Sequence, residues 1–487
     1  MNLVEHFAPF RQGIIGENHR YDSAPNGESI LYADWTASGR LYRPIEDFII
    51  NTLGPYVANT HTETTLTGTT MTEAYHDAQQ IIKRHVNADE NDVLIAAGSG
   101  MTLVINKFQR MLGLRVPEKW RDRLDIKEQE KPLVLVTHME HHSNQTTWHE
   151  CEVTLEIIRS DTQGRPDLGH MRELLEKYQD RLVKIGSFTA CSNVTGIKTP
   201  YHEMAKIMHQ HNGLCFVDFA ASAPYVDIDM HPADPEQKLD AIFISPHKLL
   251  GGPGSSGILI FDKKLYDCKV PDQPGGGTVS WTNPWGEHRF FDNIEAREDG
   301  GTPGFLQTIK AALAFKLKDA MGVDKIQQRE AQLAKILLDG FSKIPDVKIL
   351  EGEQKDRLCI VSFYVLGIHH NLIVRLLNDR FGIQTRGGCS CAGTYGHLLL
   401  GVDQLQSHEI TNKIDQGDLT DKPGWVRVSL HPTNHDEEAY FIVDALKQVV
   451  ENAESWSKDY DFHPASGEFA PKFKQARLKS LCDFSPI

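Results

Sequence analysis

Short apolar, β-branched runs alternate with amphipathic stretches between about residues 90 and 262, and this alternation constrains the fold more than any other feature. The runs are VLIAA (93–97), PLVLVTH (132–138), VKIGSFTA (183–190), LCFVDF (214–219), AIFIS (241–245) and GILIF (257–261). Strands separated by helical patterns are typical of crossover units, which join neighbouring parallel strands. The sequence therefore predicts an α/β fold built on a mainly parallel sheet.

After residue 304 the pattern changes to longer helices with fewer strands. It comprises a helix at 306–321, the run IVSFYV (360–365), a helix at 371–380, the run WVRVSL (425–430) and a last helix at 436–455. A chain of 487 residues with 40% apolar composition is long enough for two cores. We predict an N-terminal arm at 1–30, a large domain at 31–305, a smaller α+β C-terminal domain at 306–455 that packs with the arm, and a C-terminal tail at 456–487.

The charge balance and the cysteines limit the partners and the compartment. Lys plus Arg number 51 against 66 Asp plus Glu, and the net charge of −15 opposes unspecific attraction to nucleic acid or to a membrane surface. The N-terminus has no basic segment followed by an apolar one, and nowhere do about 18 apolar residues run uninterrupted. Eight scattered cysteines are typical of reduced thiols. We expect a cytoplasmic protein that acts on a small molecule.

Polar turns follow several of the predicted strands. They are Gly98–Thr102, Glu140–Asn144, Ser192–Gly196, Asp218 and Ser245–Lys248. In an open α/β sheet the ligand site lies beyond the carboxyl ends of the strands. We therefore expect these polar groups to converge on one rim of the sheet.

Three of these turns offer the groups that a pyridoxal-phosphate (PLP) site needs. Lys248, beside a glycine-rich turn, supplies an amine for the aldehyde. Asp218 ends a strand and supplies a carboxylate for the pyridine nitrogen, although an Asp in that place is more often a turn or capping residue. Gly98–Thr102 precedes a helical pattern and supplies N–H groups for a phosphate, although glycine turns before helices are common without a ligand. Together they predict PLP as the cofactor.

The order of these motifs along the chain resembles a known family. GSGMT, EHHSN, SNVTG, VDFAAS, SPHK, GGTPG, RGGCSCA and VRVSL are similar to the class V aminotransferase group of fold-type I PLP enzymes. The nearest branch that they resemble is that of the group II cysteine desulfurases and selenocysteine lyases. The resemblance covers roughly residues 30 to 450, and YADWTASG (32–39) resembles the opening substrate-side motif of that family.

The resemblance implies a role for each site residue. Lys248 would be the Schiff-base lysine, and His141 would stack on the cofactor ring. The other implied cofactor contacts are Asp218 to the pyridine nitrogen, Asn193 to the ring hydroxyl, Gly100, Met101, Thr102, Ser245 and His247 to the phosphate, and Thr302 to the phosphate of the other subunit of a homodimer with composite active sites. The implied substrate contacts are Arg427, which would clamp the carboxylate, Arg386 at the site entrance, and Asn59 and His61 in the turn after the opening motif.

The cysteine loop bears on the reaction. In the resembled desulfurases a loop cysteine takes sulfur from L-cysteine as a persulfide and alanine is released, and a protein sulfur acceptor is a further implied partner. Cys391 stands at that position and Cys389 two residues earlier. The other interpretation is that both are small buried residues. The two ligands of a C-x-C pair do not close a metal site, so we predict none.

Three hypotheses for the function remain open. The leading one is a cysteine desulfurase-like enzyme. The second keeps the PLP site for C–S β-elimination, transamination, or epimerisation of another amino acid, because Ala221 replaces a Gln that the family commonly uses at the ring oxygen. The third is a non-catalytic binding protein that retains the fold, which the presence of Lys248 and Asp218 disfavours.

Overall fold

The computed structural model describes residues 2–17, 19, 30–60, 62 and 64–472. The described strands are β1 (Leu31–Tyr32), β2 (Asp92–Ala97), β3 (Leu133–Thr137), β4 (Thr154–Ile158), β5 (Lys184–Thr189), β6 (Leu214–Asp218), β7 (Ala241–Ile244), β8 (Gly257–Asp262), β9 (Val279–Thr282), β10 (His288–Phe290), β11 (Val347–Ile349), β12 (Ile360–Val365), β13 (Ile383–Gln384), β14 (Arg386–Gly388), β15 (Trp425–Ser429), β16 (Tyr460–His463) and β17 (Glu468–Pro471).

The α-helices of the same ranges connect these strands. They are α1 (Leu3–Gln12), α2 (Arg43–Asp47), α3 (Leu66–His85), α4 (Met101–Met111), α5 (Glu118–Arg121), α6 (His142–His149), α7 (Leu168–Lys177), α8 (Tyr201–Gln210), α9 (Ile294–Glu298), α10 (Phe305–Met321), α11 (Val323–Phe341), α12 (His370–Phe381), α13 (Gly393–Leu400), α14 (Gln404–Asp415) and α15 (Asp436–Trp456). In the part of the chain that the structure describes, no helix has both the length and the apolar character needed to cross a membrane.

The chain divides into two compact units. The larger comprises Ala37–Ser192 and Ile197–Gln327, and the smaller comprises Met1–Thr36, Asn193–Gly196 and Gln328–Ile487. The predicted domain bounds, 31–305 and 306–455, stay a prediction. The units differ from them mainly at α10, whose buried face, with Ile309 and Phe315, belongs to the core of the larger unit.

A seven-stranded sheet forms the centre of the larger unit, in the order β2-β8-β7-β6-β5-β3-β4. Strands β3 to β7 are paired in parallel, and β8 is antiparallel to both β7 and β2. The mainly parallel sheet predicted from the sequence is confirmed, and all six predicted strands are present. The missed strand is β4, whose residues are mostly half-buried at the sheet edge.

Alternate residues of the central strands enter two separate apolar layers. Leu133 and Leu135 of β3 lie in one layer with α10, whereas Val134 and Val136 lie in the other with α4. Successive side chains of a strand point to opposite faces, so a strand covered on both faces must be apolar throughout. This burial explains why LVLVT shows no polar alternation.

The smaller unit is built on a four-stranded antiparallel sheet in the order β11-β12-β15-β14. Strand β1 pairs in parallel with β13, with Leu31 opposite Ile383. Helix α1 packs in the same unit: Phe7 is buried, and Arg11 donates to Glu438 at 2.7 and 2.8 Å. The described part of the N-terminal arm therefore packs within the smaller unit.

Part of the predicted tail has structure that the sequence pattern did not indicate. Strands β16 and β17 form a hairpin, with Phe462 opposite Phe469. Residues 473–487 lie outside the described residues. The cysteines of the described ranges form no disulfide with one another.

Candidate active site

Lys248 lies in a single helical turn, Pro246–Lys248, directly after β7. Neighbouring backbone comes very close to this turn. A β-carbon at Gly39 would lie 2.0 Å from the carbonyl oxygen of Leu249, and one at Gly252 would lie 1.8 Å from that of Pro246. Only glycine permits such an approach. The backbone at Gly39 and at Gly252 therefore packs directly against the turn that carries Lys248. Gly39 belongs to the motif YADWTASG.

Asp218 ends β6 and is buried, with 4% of its surface exposed. Its Oδ1 accepts the N–H of Ala220 at 2.8 Å. Burial raises the pKa of Asp218 to about 6, against the opposing effects of that hydrogen bond and of the Lys248 charge. A buried carboxylate of this kind gains most from a cationic partner, because the partner offsets the cost of burying its charge.

Glu140 is a second buried carboxyl group near Asp218, and the sequence did not single it out. Its Oε1 accepts from the N–H and the hydroxyl of Thr137, at 3.1 and 2.7 Å, and from the N–H of Thr189 at 3.0 Å. Its Oε2 accepts from Asn144 at 2.7 Å. Burial, opposed by these hydrogen bonds and reinforced by Asp218, raises the pKa of Glu140 to about 7. Glu140 therefore ties the ends of β3 and β5 together beside Asp218.

The start of α4 forms a cup of hydrogen-bond donors. The N–H of Met101 donates to Oγ of Ser245 at 2.9 Å, and no side chain caps the helix. A β-carbon at Gly100 would lie 3.2 Å from Oγ of Ser245 and 3.1 Å from Cε1 of His247. Glycine thus keeps open the space that these polar groups surround. Uncapped N–H groups at a helix start are suited to binding an anion such as phosphate.

Two further predicted cofactor residues border this cup and α6. The hydroxyl groups of Thr102 and Ser143 lie 2.6 Å apart. His141 caps α6: its Nδ1 accepts the N–H of Ser143 at 3.1 Å, which fixes the orientation of the ring. Burial and the Lys248 charge lower the pKa of His247, whose Nδ1 donates to the carbonyl of Ser99 at 2.9 Å. In the larger unit, these groups fit the donor set that PLP requires.

The predicted substrate arginines lie opposite each other in the smaller unit. Arg386 of β14 is the cross-strand partner of Arg427 of β15. Like charges directly opposite each other repel. Asp34 lies between them: its Oδ1 accepts from Nη2 of Arg427 at 2.8 Å, and its Oδ2 accepts from Nε of Arg386 at 3.0 Å. Asp34 stands in the motif YADWTASG, but no sequence pattern indicates that it pairs with these two arginines.

The arginine network continues to the cysteine loop. Nη1 of Arg427, which is 3% exposed, donates to the carbonyl of Asn193 at 3.0 Å. Nδ2 of Asn193 in turn donates to the carbonyl of Ser390 at 2.7 Å. Cys391 is exposed and Cys389 is half-buried. Exposure of the Cys391 thiol is what a nucleophile needs, and it excludes the interpretation of this residue as a small buried one.

Two of the remaining predicted residues, Thr302 and Asn59, lie on exposed loops. The Thr302 hydroxyl and Oδ1 of Asn59 are 3.5 Å apart, and both residues are exposed. His61 lies outside the described residues. The predicted role of Thr302 toward the phosphate and that of Asn59 toward the substrate stay predictions.

Residues 31–441 match a family model described as aminotransferase class-V. The chain belongs to the class-V aminotransferase family. Curated relatives of this class-V protein include a probable cysteine desulfurase of Halalkalibacterium halodurans, 27% identical over 375 residues, or 76% of this chain and 86% of the relative. A cysteine desulfurase of Haloferax volcanii is 26% identical over 388 residues, or 79% and 84% of the two chains.

Solved structures agree on the fold of this class-V protein. A cysteine desulfurase from Thermococcus onnurineus NA1 superposes with a TM-score of 0.73 at 22% identity, covering 91% of this chain and 97% of that one. A cysteine desulfurase from Escherichia coli gives a TM-score of 0.71 at 21% identity, covering 91% and 98%. The predicted fold class, that of fold-type I PLP enzymes, is confirmed.

The raised pKa of Asp218 makes the stability of the cofactor-free protein depend on pH. The folded pKa of about 6 exceeds the ordinary value of 3.8. Between these values the folded state retains a proton that the unfolded state has released, so stability is lost as pH rises through this window. We expect the free energy of unfolding to fall between pH 4 and pH 7 by about 2 kcal/mol more in wild type than in Asp218→Asn, because each pKa unit is worth about 1.4 kcal/mol and pH 4 already lies inside the window. Denaturant unfolding of both proteins at pH 4 and pH 7 measures the difference, and equal changes would refute the assigned burial cost.

Proposed function

We propose that this class-V protein is a PLP-dependent cysteine desulfurase. In this reaction the sulfur of L-cysteine passes to the Cys391 thiol, giving L-alanine and a Cys391 persulfide, so that one C–S bond breaks and one S–S bond forms. The observation that carries the proposal is the exposed Cys391 thiol in the loop after Arg386. The names of the curated relatives support the same activity.

The residues of the larger unit would hold the cofactor. We assign Lys248 to its covalent attachment, Asp218 to the pyridine nitrogen and His141 to the ring face. The remaining assignments are Gly100, Met101, Thr102, Ser245 and His247 to the phosphate, with Asn193 of the smaller unit assigned to the ring hydroxyl. When bound, PLP supplies an electron sink for the charge that develops on the substrate.

The chain's own groups divide the remaining work. Nζ of Lys248 takes the proton from the α-carbon of the substrate and returns a proton to the product, as a lysine beside a buried carboxylate can do. Arg427 and Arg386 orient the substrate carboxylate, and their fixed N–H geometry suits that group. The Cys391 thiolate attacks the substrate sulfur, since the thiolate is the reactive form of cysteine.

A second candidate keeps the same cofactor site but produces a different outcome. Ala221 is buried and presents a methyl group where the family commonly has a Gln. Because Ala221 lacks the amide of that Gln, C–S β-elimination, transamination and epimerisation stay alternatives. None of these reactions needs a loop thiol.

An amino-acid panel separates these reactions. We expect incubation with L-cysteine to give alanine in equal amount to protein persulfide in a single turnover. Pyruvate with free sulfide would instead indicate β-elimination, and a new keto acid or a change of configuration would indicate transamination or epimerisation. Absence of turnover with every amino acid would overturn the proposed function.

The proposal extends to a homodimer. The β9–β10 hairpin of the larger unit exposes Trp285 at 84% and Trp281 at 48%. Exposed aromatic side chains are common at protein interfaces, and we propose that a second copy of this chain covers this hairpin. Exposed Thr302 could then serve the neighbouring site, as the family resemblance implies. Sedimentation equilibrium measures the mass, and a monomer would contradict this arrangement. The cytoplasmic location and the protein sulfur acceptor stay predictions.

A further inference from the structure

The loop of Cys391 adopts a backbone conformation that its residues do not favour. The N–H of Ala392 donates to the carbonyl of Cys389 at 3.0 Å, closing a four-residue turn. The two central residues, Ser390 and Cys391, have φ angles of 50° and 56°. A turn with positive φ at both central positions is a type I′ turn, which normally requires Asn or Gly there.

Contacts from outside the turn must offset the conformational strain of its two central residues. Side chains of L-residues crowd the backbone in the left-handed region, and Ser and Cys lack the local compensation that Asn offers. The Ser390 hydroxyl has no hydrogen-bond partner among the described residues. The contact that reaches the centre of the turn is the one from Nδ2 of Asn193 to the carbonyl of Ser390, at 2.7 Å.

Asn193 is itself held firmly, so it can act as an anchor. It is 6% exposed, and its carbonyl accepts from buried Arg427 at 3.0 Å. The next residue, Val194, accepts from the Ser362 hydroxyl at 2.6 Å, and Gly196 accepts from the N–H of Leu358 at 2.9 Å. The segment Asn193–Gly196, which is buried and makes several hydrogen bonds, therefore holds the turn at the carbonyl of Ser390.

We propose that Asn193 is a positioning residue for Cys391, whose side-chain amide holds the strained turn so that the thiol stays in one place. This role rests on the proposed function, in which Cys391 receives the sulfur. An amide has two N–H groups, and the contact with Ser390 uses one of them. The predicted contact with the cofactor's ring hydroxyl would use the other, so the two roles of Asn193 are compatible.

Hydrogen exchange of the turn amides tests the role without any substrate. Asn193→Ala removes the amide, and Ser390→Gly removes the steric cost of the left-handed conformation at position 390. We expect the segment that contains the Ala392 N–H to exchange at least about 10-fold faster in N193A, and the N193A/S390G double variant to return to within about threefold of wild type. Asn452→Ala is the matched control, because Nδ2 of Asn452 makes a similar contact, to the carbonyl of Gln448 at 2.8 Å, in α15 of the same unit.

Turnover of L-cysteine supplies the second measurement. We expect N193A to lower kcat with little change in KM, and the added S390G to recover part of kcat, because one of the two strained positions of the turn is then relieved. An exchange rate in N193A equal to that of wild type or of N452A overturns the proposal, and so does a double variant that exchanges as fast as N193A. Failure of the desulfurase function would leave the exchange result unchanged and would show instead in the amino-acid panel.

Discussion

Lys248→Ala is expected to lose covalent PLP and to lower turnover of L-cysteine by about 10³-fold or more. The variant loses both the amine that attaches the cofactor and the base that moves the substrate's α proton, and loss of a general base alone costs about 10² to 10⁴-fold. The fold should persist, because Lys248 lies half-buried in a turn outside the apolar layers. Borohydride reduction followed by peptide mass spectrometry, together with single-turnover kinetics, measures both losses.

Lys264→Ala is the control for that experiment. Lys264 also follows a strand of the same sheet, β8, but it is exposed. We expect this variant to keep the cofactor adduct on Lys248 and to keep its turnover. A reduced adduct on any lysine other than Lys248 in wild type would overturn the assignment of the cofactor residues, and the role of Asp218 would fall with it.

The larger unit was predictable from the sequence because its strands are covered on both faces. A strand such as β3 must be apolar at every position, and a continuous apolar run between helical patterns is a strong signal. Strand β4 lacks this signal, since only Ile158 at its end is fully buried. The β16–β17 hairpin was missed because each of its strands has only four residues, too few for an alternating pattern to be distinctive.

Part of the candidate site was predictable because parallel strands all end at one edge of the sheet. Lys248, Asp218 and His141 each follow such a strand. Asp34 and Glu140 were not predictable, although both stand in motifs that carry the family resemblance. Their importance depends on strand register and burial: Asp34 matters because Arg386 pairs opposite Arg427, and no local pattern shows that pairing.

The conformation of the cysteine loop was hidden for a different reason. Turn signals rely on residues that tolerate positive φ, chiefly Gly, Asn and Asp. Ser390 and Cys391 belong to none of these residue types, so the sequence predicts no type I′ turn at Cys389–Ala392. The turn exists because the tertiary contact from Asn193 supports it. Sequence patterns fail where a distant contact supports a backbone conformation that the local residues disfavour. Such strained sites are often functional.

Cys391→Ala is expected to lower alanine formation from L-cysteine by about 10³-fold or more while leaving the cofactor's visible absorption unchanged. A methyl group cannot accept sulfur, and loss of the nucleophile in a covalent mechanism removes most of the rate enhancement. The cofactor residues belong to other segments, so binding of PLP should persist. Alanine and protein persulfide are measured in the same single-turnover reaction.

Cys389→Ala provides the matched control, since it removes the half-buried thiol from the same turn. Cys389 is the first residue of the turn and its φ is not positive, so alanine should preserve the backbone there. We expect this variant to keep most of the alanine formation and to carry its persulfide on Cys391. Unchanged alanine formation in C391A would refute the sulfur-acceptor role. Pyruvate and sulfide from both variants at the wild-type rate would instead favour β-elimination, because that reaction uses the cofactor site and no loop thiol.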